Sequence, residues 1–94
     1  MNIEGSIKIV ILGRGRMIVG YLRKHPELAF HWMLENARII RRWGTTEGLE
    51  QIAQDGPTSE TVLDRMCSCT FPFGAVVEII NTTEEKWTPH LQQN

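Results

Sequence analysis

From Ser6 onward, apolar and polar positions alternate in short runs punctuated by glycine, proline and asparagine, the pattern of half-buried strands joined by turns. Ile7 to Leu12 places Ile7, Ile9 and Ile11 on one face and Lys8, Val10 and Leu12 on the other, so both faces are largely apolar. Gly13-Arg14-Gly15 supplies a turn tolerant of positive φ, and Arg16 to Leu22 returns as the second strand of a hairpin. His25-Pro26-Glu27 breaks the next connection, after which Leu28, Phe30, Trp32 and Leu34 alternate as a third strand. Glu35-Asn36 reads as a turn, and Ala37 to Trp43 as a fourth strand that Gly44 stops.

The period then changes. Leu49, Ile52 and Ala53 recur at i, i+3 and i+4, predicting a short helix over about 47–54, with Thr45-Thr46 as its cap and Asp55-Gly56-Pro57 as its end. After an irregular linker from Thr58 to Asp64, Met66 to Phe71 and Ala75 to Asn81 read as two further strands around Pro72-Phe73-Gly74. Residues 83–94 are polar apart from Trp87 and Leu91 and read as a loose tail or one fraying helical turn. The expected architecture is mainly β with one short helix. A small, bent antiparallel sheet closes into an SH3/Sm-like barrel over residues 1–82, with an open sheet carrying the helix on one face as the alternative.

A chain of 94 residues holds one small domain. Ten Lys and Arg against eleven Asp and Glu give a net charge of −1, which removes the polymer-wide attraction a nucleic-acid coat relies on, so any anion site must be local. The first residues lack a basic stretch followed by a long apolar one, and no run approaches the roughly 20 apolar residues that span a bilayer; the expectation is a cytoplasmic protein. Cys67 and Cys69 are expected as free thiols on one strand face, with neither a disulfide nor a metal. His25, His31 and His90 have no metal-ligand spacing and no partner for general catalysis, so neither a cofactor nor an enzymatic activity is expected. A small core and a first strand apolar on both faces predict a homo-oligomer.

Candidate chemistry concentrates in Arg38, Arg41, Arg42, Trp43, Thr45 and Thr46, at the junction of a strand and the helix. Guanidinium groups are bidentate phosphate donors, threonine hydroxyls add neutral donors, and Trp43 can stack on a base. The plainer account pairs Arg41 and Arg42 with Glu47 or Glu50, buries Trp43 and leaves Thr46 a cap. Gly13-Arg14-Gly15-Arg16 lacks the Gly-Lys-Ser/Thr ending and following helix of a phosphate loop, yet its arginines, Arg14 foremost as a candidate site residue, can reach a ligand at a barrel mouth or across a subunit boundary.

The succession Lys8-Ile9-Val10-Ile11-Leu12, Arg14-Gly15, Ile40-Arg41-Arg42-Trp43-Gly44-Thr45-Thr46, Gly48-Leu49 and Gly56-Pro57-Thr58 resembles a family of small, uncharacterised proteins of phages, prophages and their bacterial hosts. The resemblance spans about residues 8–80 and implies a compact β-barrel with one inserted helix. It also implies a protein that acts by binding in the host cytoplasm. Three functions fit these features: a phage sponge that sequesters a small nucleotide-type defence signal, an Sm-like nucleic-acid-binding module, and a protein-interaction module with no small ligand.

Overall fold

The computed structural model describes residues 5–45 and 47–92. Six strands, β1 (Ser6–Leu12), β2 (Arg16–Lys24), β3 (His31–Arg42), β4 (Val62–Leu63), β5 (Cys67–Pro72) and β6 (Val76–Asn81), form one antiparallel sheet. A short helix, α1 (Leu49–Asp55), follows β3, and a single helical turn, α2 (Glu84–Trp87), follows β6. The order is β4-β3-β2-β1-β6, and β5 pairs with the first half of β3, from His31 opposite Pro72 to Ala37 opposite Cys67.

The β1–β2 hairpin turns at Gly13–Gly15 with Arg14 and Gly15 at positive φ, as the glycine pattern leads one to expect. The turn expected at Glu35-Asn36 is instead a bulge inside one twelve-residue strand. Asn36 takes φ 48°, which asparagine tolerates, and the extra residue shifts the register against both β2 and β5 without ending either ladder. Opposite the bulge, a Cβ on Gly20 would lie 2.9 Å from that of Ala37, so the bend requires glycine there. Two expected strands thus become β3, while Val62–Leu63, expected within a linker, forms a strand against Ile40 and Arg42.

β5, on the outer side of β3, and β6, at the far end of the strand order, are joined by only the Phe73–Ala75 turn, so the bend brings the two outer edges to one corner. No ladder joins them among the described residues, and the sheet is not closed.

Each sheet face has its own apolar core. Ile7, Ile9, Val19 and Ile40 pack under Leu49, Ile52 and Ala53 of α1 and under Trp87 and Leu91. Val10, Ile18, Leu22, Leu34, Ala37 and Phe71 make the second cluster. The two apolar faces of β1, which suggested a covering subunit, are therefore both satisfied within the chain. The segment expected as a polar tail is part of the domain: Trp87 is fully buried and its indole N–H donates to the carbonyls of Ile52 (3.0 Å) and Ala53 (3.3 Å). Leu91 is equally buried, and its carbonyl accepts from the Asn36 amide at 2.8 Å. Among the described residues, no helix is long and apolar enough to cross a membrane.

Candidate functional site

The structure distributes the six candidate residues it describes over different roles. Arg38 ties the C-terminal elements to β3: its guanidinium donates to the carbonyls of Asp64 (2.6 Å), Leu63 (3.3 Å) and His90 (3.3 Å). Arg41 pairs with Asp64 at 2.7 Å, an exposed contact worth little by itself. The predicted partners Glu47 and Glu50 are not those observed. Trp43 is about two-fifths exposed, and its indole N–H points to the Met17 sulfur at 3.0 Å.

The backbone around Trp43 and Gly44 is clamped from the loop that follows α1. Thr61 donates its hydroxyl to the Trp43 carbonyl (2.6 Å), and Thr58 donates to the Gly44 carbonyl (2.8 Å). Gly44 sits at φ 75°, where a Cβ would come within 2.4 Å of the backbone at Glu60 and Thr61. The run from Arg41 to Gly44 is therefore joined to the Gly56-Pro57-Thr58 stretch through the Thr58 hydroxyl, and its backbone closes against Glu60 and Thr61 just beyond. Thr45 does not cap α1; its hydroxyl accepts from the Glu47 N–H at 3.1 Å and donates to the Gln51 side chain, while Gly48, at φ 95°, precedes the first helical residue. Thr46 lies outside the described residues.

Arg42 lines an open pocket of about 640 Å³ with Thr45, Gln51 and Thr58, but also with the carboxylates of Glu47 and Glu60. Two acids beside one guanidinium lower the potential an anion would meet. Arg14 stands elsewhere. With Arg16, the other arginine of the Gly-Arg-Gly-Arg run, it lines an open groove of about 590 Å³ that also takes in Leu12, Ala75 and Val77 and contains no carboxylate. The groove lies between the Gly13–Gly15 turn and the Phe73–Ala75 turn, because Leu12 pairs with Arg16 on one side and Val76 on the other. Neither guanidinium has a hydrogen-bond or ion-pair partner among the described residues. A signal for Arg16 existed in the Gly-Arg-Gly-Arg run, but local spacing did not show which second turn it would face.

Cys67 and Cys69 are free, half-buried thiols with their sulfurs 3.7 Å apart. Burial, followed by the neighbouring Cys67 thiol, pushes Cys69 up to about 11, and the positive charge of Arg16 partly offsets that rise. The ring Nδ1 of His25 accepts from the N–H groups of Glu27 and Leu28 (both 3.0 Å), and that of His31 lies 2.8 Å from the Ala29 carbonyl.

No protein-family model matches the chain, and comparison with curated proteins gives no match.

Proposed function

We propose that this chain is a non-catalytic binding protein for a small phosphate-bearing, nucleotide-type ligand, and that it serves a phage as a sponge for a defence signal in the bacterial cytoplasm. One observation carries the reading: Arg14 and Arg16 stand together on a groove that holds no carboxylate, with no hydrogen-bond or ion-pair partner among the described residues. Planar guanidinium groups are matched by phosphate oxygens, and the apolar residues of the groove suit the uncharged part of a nucleotide. A local site of this kind is compatible with a chain whose net charge is −1. His25 and His31 are engaged with the backbone of their own loop, which favours binding over proton transfer.

The Phe73–Ala75 link holds the outer edges of β5 and β6 near each other at one corner, which favours a bent sheet of the SH3/Sm-like barrel kind, with the edge of β6 left open. That open edge, with Val77 and Ile79 exposed, is where further copies of the chain would add to form the homo-oligomer. The same exposed apolar residues favour a protein-interaction module as the second reading.

Calorimetric titration with mono-, di- and cyclic nucleotides tests the assignment. Arg14→Ala and Arg16→Ala should each weaken binding by about ten- to hundredfold, the worth of a charge-assisted hydrogen bond, while Arg42→Ala leaves it unchanged. Loss on Arg42→Ala instead would move the ligand to the pocket beside α1. RNA retained through purification would favour the Sm-like nucleic-acid-binding module, and no binding down to millimolar affinity would leave the interaction module.

A further inference from the structure

The geometry points to Phe30 as a stacking platform for the aromatic base of the ligand whose phosphate Arg14 and Arg16 hold, an assignment that rests on the groove described above. Phe30 sits at φ 62°, a region that bulky residues with a Cβ rarely enter, and its side chain is left in solvent, with the residue 77% exposed. A loop tip ordinarily carries small or polar residues, so an exposed phenyl ring held by unfavourable backbone is informative. The conformation is pinned by the Phe73 N–H, which donates to the Phe30 carbonyl at 2.8 Å.

The ring belongs to a column that leads from the core to water. Trp32 packs against the second apolar cluster, Phe73 tilts against it with centroids 4.9 Å apart, and Phe30 meets Phe73 edge-on at 6.3 Å and 89°. Phe73 also opens the turn whose Gly74 and Ala75 line the arginine groove. One three-residue turn therefore borders both an exposed aromatic ring and a pair of unpartnered guanidinium groups. A ligand with a flat, uncharged ring at one end and phosphate oxygens at the other matches both features, and a nucleotide is that class of molecule.

The test compares ATP with inorganic triphosphate, which carries the same phosphate chain without a base, by calorimetry on the full chain. The wild type should bind ATP more tightly than triphosphate. Phe30→Gly, which suits the positive φ and so preserves the fold, should weaken ATP about five- to hundredfold and leave triphosphate unchanged. Phe30→Tyr should retain the preference. ATP affinity within twofold of wild type in Phe30→Gly, or an equal loss for both probes, would overturn the stacking role while leaving the arginine groove standing. If neither probe binds the wild type, the groove reading fails and the stacking role with it.

Discussion

Gly44 shows at the scale of one residue why a motif can be legible while its purpose is not. In the sequence it ends a run of arginines and tryptophan and lies beside two threonines, which reads as chemistry. In the fold it lets the chain pass against the backbone of Glu60 and Thr61, a contact between segments that no local pattern encodes. Gly44→Ala should therefore destabilise the protein by roughly 2 kcal/mol or more through strain at positive φ and a backbone clash. Gly13→Ala, where a Cβ meets nothing within 4 Å, should stay within about 0.5 kcal/mol of wild type; denaturant midpoints for the pair check the contrast. Cys69 supplies a pH dependence. Its thiol titrates from an ordinary value near 9.0 in the unfolded chain to about 11 in the fold, so between those values the unfolded state has lost the proton that the folded state keeps. Unfolding is then favoured as pH rises, and the contribution of Cys69 is fully present below about 9 and lost through about 11. Stability measured from pH 8 upward should fall less steeply in Cys69→Ala than in wild type, and equal slopes would remove Cys69 as the cause.

Among the elements, those with a sustained period were legible and those defined by a single contact were not. The spacing of Leu49, Ile52 and Ala53 announced α1, and those side chains are the ones it buries. Alternation along Ile7 to Leu22 announced the first hairpin, but the same alternation could not tell a turn from a bulge at Glu35-Asn36, since both accommodate asparagine at positive φ. β4 is two residues long, too short for any period, and exists because it lies against β3. α2 presents one tryptophan in a polar segment, a pattern that resembles a tail until the indole is seen bonded to the end of α1. Trp87→Ala should cost about 3–5 kcal/mol, a large share of the roughly 5–14 kcal/mol that stabilises a domain of this size. Trp87→Phe keeps most of the burial and loses the indole hydrogen bonds, so its cost should be nearer 1–3 kcal/mol. Thermal unfolding of both variants checks the order; equal and small losses would mean that the C-terminal turn contributes little to the fold.

At the scale of the whole molecule, the two apolar cores change the argument for assembly. A first strand apolar on both faces had suggested a neighbouring subunit, yet α1, α2 and the second cluster account for both faces. What is left uncovered is narrower. β6 ends the strand order, pairs with β1 alone among the described residues, and exposes Val77 (69%) and Ile79 (37%) beside a row of backbone groups that no described strand pairs. Proteins that stay monomeric usually blunt such an edge with lysine, proline or a bulge; β6 has Glu78 as its one charged residue and a register shift against β1 at Val77, so the regular part of the edge runs from Glu78 to Asn81. The proposed assembly should therefore run through β6, with light scattering at micromolar concentration returning at least twice the 10.8 kDa of one chain. Ile79→Lys places a charge on that edge away from the arginine groove and should shift the distribution to single chains while leaving the denaturant midpoint of the isolated subunit nearly unchanged. A wild-type protein already at one subunit's mass removes the assembly, and an oligomer untouched by Ile79→Lys moves its interface off β6. In either case Val77 remains in the groove lining, so the nucleotide titrations stand independently of how many copies assemble.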